Sequence, residues 1–534
     1  MAQPSETADV LREGPWAFRI CGQGPRAYAV VVGHEDVPRT LSIPRQLGGL
    51  AVREVGAEAF AGAAQLREVD LPEGLRAIGP HAFAKTGLEW LAVPPSVRSI
   101  GAGAFARCRK LVDVGFEEGL ESIGQAAFSG APLRYLELPA SLACIEGLPF
   151  SQGGAAGGWH FKLTVREGNP CFFSDGHALY ERTPAGCTLR WHWAVEAACT
   201  LRPDCTAIAP GAFRNQTMLR ALQLPEGLTS IGERACAGCS RLYKAPLPDG
   251  LREIGEEAFY GTKLTEVRLG SGLATLGARA FARHAGGQVA WPALQVDEGN
   301  PRFLQRDGLL LQRREGGLRA LGMCGPCSWL AMPPEVTQVA GQCFAGAPLR
   351  RLQLPAGLQS LEEGAFSGME ALQELLVCCP RFGTASVRVA FFGGKRSAEL
   401  VSACVRAPGA DGCPFDFAAY DAFLLGEGRV RELGAEPFAR MALARLQQPC
   451  QLAAAARERL VAQLAPSAAR LCQVFACSHE FACVEQLVAC GLANSATMDA
   501  ALRELRRKQD VEGSAQLMQL ARKCFGHAGP DLSL

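Results

Sequence analysis

No single charge dominates this chain: 54 Lys and Arg face 53 Asp and Glu, for a formal net charge of +1. A near-neutral chain offers no broad attraction for nucleic acid or for an anionic membrane, so the expected partners include neither. Long apolar runs are missing too. No stretch of about 18 uncharged apolar residues occurs, which argues against a membrane-spanning helix. The segment from Met1 to Phe18 holds Glu6, Asp9 and Glu13 and no apolar core, so it does not read as an export signal.

Catalytic and cofactor signatures are equally scarce. There is no GxSxG, no GxxxxGK[ST] and no GxGxxG set between a strand and a helix. The eight histidines, at 34, 81, 160, 177, 192, 284, 479 and 527, show neither HExxH nor HxH spacing, and solvated or core histidines are the expectation. No metal site, no cofactor and no active site are indicated. The 22 cysteines are spread over the whole chain. Without an export signal they read as reduced, buried thiols, and a cytoplasmic location follows as the expectation.

What the chain has in abundance is glycine, with 60 residues, and a repeat that uses it. From Leu66 the sequence reads LREVDLPEGLRAIGPHAF. From Leu219 it reads LRALQLPEGLTSIGERAC, and from Leu349 LRRLQLPAGLQSLEEGAF. The closing Phe falls at 60, 83, 105, 128 and 150, then at 213, 236 (a Cys), 259 and 281, then at 344 and 366. The steps are even to within one position, except from 150 to 213 and from 281 to 344, two long steps of equal length. Each long step holds an Asn-Pro, at 169–170 and 300–301, followed by an apolar stretch. Asn169 and Asn300 are separated by the same interval as Phe213 and Phe344, so a whole block is duplicated.

One repeat dictates one coil. In LxxVxL the alternation sends Val69 and Leu71 to the same face of a short strand, and Pro72 ends it. Gly79 is expected to permit a tight bend, and the AF pair to sit in a single helical turn whose ring plugs the core. About 23 residues bury no core alone, so each coil depends on its neighbours. The fold class predicted is a leucine-rich-repeat solenoid, mostly β with short helical turns, right-handed from about residue 16 to 377, with a parallel sheet along one side and the AF turns on the other.

These residues resemble the BspA-like leucine-rich repeat family, whose pattern LxxIxLPxxLxxIGxxAFxxC is met almost position by position from Val55 to about Val377. The lead segments WAFRI at 16–20, AYAVVV at 27–32 and LSIPRQLGGLAVREVGAEAF at 41–60 are similar to the capping strands of such solenoids. The resemblance implies a binding protein, and many relatives are exported to a surface. A surface adhesin whose leader lies outside this chain is therefore an alternative expectation.

Past Cys378-Cys379 the frame stops. Residues 379–414 read as a Gly- and Pro-punctuated junction, and 415–527 as an all-α domain, with apolar residues at three- and four-residue steps between Pro, Gly, Asn or Ser breaks. The segment starting at Glu480 is echoed by the one starting at Glu512. Two arrangements stay open, a plain bundle and ankyrin-like helix pairs, and either would cover the apolar end of the last coil. The domain plan is thus 1–46 as tail and cap, 47–378 as solenoid with inserted units near 151–212 and 282–343, then junction and helical domain.

Two cysteine pairs tempt a chemical reading. CGPC at 324–327 has the spacing of a thiol-disulfide oxidoreductase, a function that needs a helix N-terminus after the motif to lower the thiol pKa. Here Ser328 to Pro333 reads as another strand, so Cys324 and Cys327 point to a structural loop. Cys236 and Cys239 could be imagined as zinc ligands with them. The frame instead gives Cys236 the coil-closing position and Cys239 the offset of Cys108. The RELRRK run at 503–508 reads as the wet face of a helix.

What remains is the outward face of the strands. The residue two after the first Leu of each coil forms a column: Glu68, Trp90, Asp113, Tyr135, Ala221, Lys244, Glu266, Arg351 and Glu374. Trp, Tyr and Arg dominate interface energetics. Trp90, Tyr135, the neighbouring Tyr243, Glu68, Asp113 and Arg351 are therefore the candidate binding residues for a protein or peptide partner. Glu137 lies near enough to add a carboxylate to the Trp90–Tyr135 stretch.

Overall fold

The computed structural model describes residues 9–148, 150, 161–285, 288–325, 327–378, 386–405, 413–426 and 433–526. The chain forms two compact units, 1–282 and 283–534.

In the first unit most coils contribute two short strands. One comes from LxxVxL: Trp90–Val93, Asp113–Phe116, Tyr135–Leu138 and Lys162–Val165 form a four-stranded parallel sheet. The other comes from the two residues before the repeat glycine. Ala77–Ile78, Ser99–Ile100, Ser122–Ile123 and Cys144–Ile145 form a second parallel ladder, continued from Leu50–Val55. The coil therefore has two sheets where the repeat pattern predicts one. Two residues are too few to show period-two alternation, which is why the second strand escapes the pattern.

The AF pair is also not helical. Ala82 and Ala84 N–H donate back to the carbonyls of Gly79 and His81, closing successive turns, while Phe83 N–H donates to Ala104 of the next coil at 2.8 Å. Inter-coil hydrogen bonds of this kind recur from Phe60 to Ala82 and from Phe105 to Ala127, so the turns stack as a third ladder. The repeat glycine acts differently from its expected role. Gly79 has no positive φ, and a Cβ there would meet Val55 O and Ala57 N at 2.8 Å. It is needed for the close approach of coils and not for a bend.

The core is a column of rings. Phe60, Phe83, Phe105, Phe128 and Phe150 are all buried and stack with centroid separations of 5.2, 5.4, 5.3 and 5.9 Å and interplanar angles of 18° or less. Phe259 with Phe281 and Phe344 with Phe366 repeat the contact.

The inserted units are antiparallel hairpins. Phe172–Ser174, Ala178–Thr183 and Gly186–His192 form the first, and its last strand then pairs in parallel with Cys205–Ile208. In the second unit Phe303–Arg306, Leu309–Arg314 and Gly317–Met323 do the same, ending against Val336–Val339. The N-terminal strands Leu11–Glu13, Trp16–Cys21 and Tyr28–His34 have that topology too, ending against Leu50–Val55. All three parallel junctions carry a register shift after the first paired residues, at Ala29, Cys187 and Leu318. The duplicated block is thus opened each time by a copy of the cap hairpin. Residues 151–160 of the first inserted unit lie outside the described residues.

The Asn-Pro pair has a physical task. Buried Asn169 accepts from the N–H of Cys171 and Phe172 at 2.8 and 2.7 Å and donates to Pro139 O and Leu142 O at 2.9 and 3.0 Å. It turns the chain into the hairpin and ties it to the coil before. Asn300 accepts from Arg302 and Phe303 N–H in the same way.

In the second unit Trp329–Ala331, Arg351–Leu354 and Glu374–Cys378 run parallel, and Ser386–Ala390 adds an antiparallel strand. The segment read as a junction therefore contains a strand, and then a helix, α1 (Gly394–Cys404). The helices that follow are α2 (Phe417–Leu424), α3 (Ala435–Gln447), α4 (Ala454–Leu464), α5 (Ala468–Cys477), α6 (Phe481–Ala489), α7 (Ser495–Arg507) and α8 (Val511–Phe525). Helix α5 packs on α7 and α6 on α8, so the last four helices form two stacked helix pairs. Both pairs turn through a left-handed residue, His479 and Gln509, and His479 Nε2 bonds Asp510 at 2.7 Å. The run 454–477 is long and apolar enough to cross a membrane by length and composition. It carries Arg457, Glu458, Arg459 and Arg470, however, and buries Leu460, Leu464, Leu471 and Phe475 within the helical region. Arg445 of α3 is buried and holds Asp421 of α2 through two bonds of 2.6 and 2.8 Å, with its remaining donors on Gln448 O and Cys450 O.

Candidate interaction face

The strand face of the first unit sets its side chains by register. Asp113 pairs with Trp90 on one side and Tyr135 on the other. At a strand spacing of about 4.8 Å, the two aromatic residues stand about 10 Å apart with Asp113 between them. Trp90 is 44% exposed and Tyr135 43%, because alternation turns Leu91, Val114 and Leu136 inward instead. Beside this row the next outward residues are Ala92 and Gly115, in register with each other. A Cβ at Gly115 would meet nothing within 4 Å. The rings thus rise beside a floor of small residues.

The charges divide into spent and available. Glu137 binds Arg166 at 2.9 Å, and Arg166 also takes Glu118 and Phe116 O, so the Glu137 carboxylate is neutralised and is not free for a partner. Asp113 and Glu68, both exposed, make no side-chain hydrogen bond or ion pair among the described residues. Glu68 lies on Glu68–Asp70, whose ladder partner is Thr40–Ser42. Tyr135 Oη meets Thr164 Oγ1 at 3.1 Å, which steadies the ring.

The other candidates are not brought to this place. Tyr243 is 55% exposed, but it stands beside Lys244, which bridges to Ala221 in a different ladder. Arg351 lies in the second unit. Its guanidinium sits 4.9 Å from the centre of the Trp329 ring and pairs with Glu374, which also holds Arg388. The column count omits Trp329, which is 41% exposed and in register with Arg351. A signal for it is present in the sequence: Trp329 precedes Leu330 in a strand ending in Met-Pro, at the offset of Glu68.

The chemical temptations take structural places. Cys324 follows Gly317–Met323 and precedes the strand Trp329–Ala331, with no helix between them among the described residues. Burial pushes its thiol up to about 12 and raises that of Cys327. A redox thiol needs the opposite shift. Cys239 Sγ donates to Phe213 O at 3.1 Å as Cys108 Sγ does to Phe83 O at 3.1 Å. The neighbouring Cys239 thiol and burial together push Cys236 up. Both are core positions of the coil.

Residues 42–153, 198–286 and 319–380 match the BspA type leucine rich repeat region, in six copies. The coils of this chain are BspA-type leucine-rich repeats. This BspA-type chain is similar in fold to several solved bacterial structures. The pneumococcal vaccine antigen PcpA is 18% identical, with 69% of this chain and 93% of that one covered and a TM-score of 0.46. A leucine rich cell surface protein from Faecalibacterium prausnitzii is 17% identical, covering 70% and 95%, with a TM-score of 0.36. A leucine-rich repeat protein from Bacteroides ovatus is 16% identical, covering 69% and 88%, with a TM-score of 0.37. No curated protein matches the sequence. The BspA-type repeats make this chain a leucine-rich-repeat scaffold, of a family generally without enzymatic activity.

Proposed function

We propose that this scaffold binds another protein through the strand face of its first unit, taking an extended segment that presents Lys or Arg beside an apolar side chain. The observation that carries the reading is the row Trp90, Asp113, Tyr135 on three consecutive strands. It places an uncompensated carboxylate between two exposed rings, over a floor formed by Ala92 and Gly115. A cation between aromatic faces and a carboxylate gains from both, and the flat floor admits a backbone lying across the strands. Trp90→Ala tests it. Partner affinity should fall by about 2 kcal/mol or more, measured by calorimetry with a partner captured on the native protein, while the melting temperature stays within a degree or two. A variant that melts early yet binds normally makes Trp90 a packing residue and sinks the proposal.

A further inference from the structure

A recess lies at the turns of the first unit, just ahead of the strands that begin at Trp90 and Asp113. It encloses about 360 Å³ and is lined by Ala64, Lys85, Thr86, Gly87, Arg107, Arg109 and Lys110. Its origin is a difference in loop length. From the coil-closing Phe to the next Leu there are five steps at Phe83, but six at Phe60 and Phe105. The short loop Thr86-Gly87 therefore forms a floor between two longer neighbours, with Ala64 on one side and Arg109 and Lys110 on the other. Gly87 allows the loop to sit down, since a Cβ there would meet Ala64 O at 2.3 Å.

The charge of this recess is one-sided. Its lining carries four cations and no carboxylate, and none of the four makes an ion pair or side-chain hydrogen bond among the described residues. The residue two after the closing Phe adopts a left-handed conformation in coil after coil, and most coils place glycine there: Gly62, Gly130, Gly238, Gly261, Gly346 and Gly368. Lys85 and Arg107, at φ of +60° each, occupy that position in two adjacent coils. A long side chain in this conformation is strained where glycine is not; Asn215 takes the same place in a third coil.

We propose that this recess binds a phosphate monoester carried by a protein segment, a phosphoserine or phosphothreonine. A phosphate near −2 with three acceptor oxygens matches several cations lining one recess, and arginine forks suit it. The alkyl stems and Ala64 give the flanking peptide an apolar shelf. The lining holds no aromatic ring, so it lacks the stacking platform that single-stranded nucleic acid uses. This site stands independently of the strand-face proposal.

The test uses the full chain and two fluorescein-labelled peptide pools with degenerate flanks, one centred on phosphoserine and one on serine. Fluorescence anisotropy should show the phosphoserine pool binding at least about tenfold more tightly, the scale of one charge-assisted contact. In Lys85→Gly/Arg107→Gly that preference should disappear while the melting temperature holds or rises, since glycine relieves the backbone. Val195→Ala, an exposed position outside both the recess and the strand row, should keep the preference in full. Equal binding of the two pools overturns the proposal, as does a preference that survives the double glycine variant or is lost in Val195→Ala. Displacement of the phosphoserine pool by inorganic phosphate, or by a ten-nucleotide oligo-dT, at concentrations equal to that of the pool itself would overturn it too, assigning the recess to a free anion or to nucleic acid instead.

Discussion

Phe105→Ala probes the element on which the coils depend. The Phe105 ring is completely buried and stacks on Phe83 at 5.4 Å and on Phe128 at 5.3 Å, nearly parallel to both. Removing it loses the transfer free energy of the ring, about 2–3 kcal/mol, and the stacking preference of two ring pairs, about 0.5–1.5 kcal/mol each. It also leaves a cavity that the walls cannot close. Phe83 N–H donates to Ala104 O and Phe105 N–H to Ala127 O at 2.8 and 2.7 Å, and those backbone ladders fix the spacing of the coils. We expect a loss of about 4 kcal/mol, in the middle of the range for such truncations. Because repeat proteins open in sections, the assay is native-state hydrogen exchange read by mass spectrometry over peptides spanning 77–130. Protection should collapse in the coils closed by Phe83, Phe105 and Phe128 before it changes in α5 to α8. Phe105→Leu should cost about 1–2 kcal/mol. A loss below about 1 kcal/mol for Phe105→Ala, or exchange that rises uniformly along the chain, would refute the idea that the ring column couples the coils.

Asn169→Ala removes two acceptor and two donor bonds of a buried amide and should cost about 2–4 kcal/mol, with urea unfolding followed by the fluorescence of Trp191 and Trp193; a cost near zero would mean that the Asn-Pro turn forms without its side chain. Arg445→Met leaves Asp421 buried without its guanidinium and should destabilise the helical region by about 3–5 kcal/mol, whereas Asp421→Leu/Arg445→Met should recover most of it; thermal melts by circular dichroism distinguish these, and equal losses in the single and double variants would contradict the account. His192 is buried against Phe213, and burial lowers its pKa from 6.5 to about 4. The unfolded chain therefore binds the extra proton first as pH falls, and stability that is complete above about pH 6.5 declines from there down to about pH 4, by up to about 3 kcal/mol. Urea midpoints at pH 7, 5.5 and 4.5 should show the decline, and His192→Gln should flatten that part of it; an identical slope in the variant would assign the loss to other groups.

The repeat, the burial of the closing rings, the outward column and the helical character of 415–526 are legible in the residue order alone, because each is written as a period in residue type. LxxVxL alternates, AF recurs at a nearly constant interval, and the helices show three- and four-residue steps. Trp90, Asp113 and Tyr135 come into one row from counting alone, since parallel coils of nearly constant length put equal offsets side by side. Three-dimensional packing settles what no period encodes. The second ladder is two residues wide per coil and rests on hydrogen bonds between coils, so its partners are a full coil away along the chain and leave no local pattern. The repeat glycine looks like a bend residue, and only the neighbouring backbone at 2.8 Å shows that it makes room. Which charges are free is equally hidden: Glu137 and Asp113 are alike in sequence, but Arg166, remote from both along the chain, neutralises Glu137 and leaves Asp113 uncompensated. The cap hairpin and the two inserted hairpins share topology with little shared spelling, because an antiparallel hairpin asks only for apolar residues and a turn. The basic recess at Lys85 and Arg107 arises from one residue fewer in a loop, a difference that becomes a cavity only when three coils are stacked.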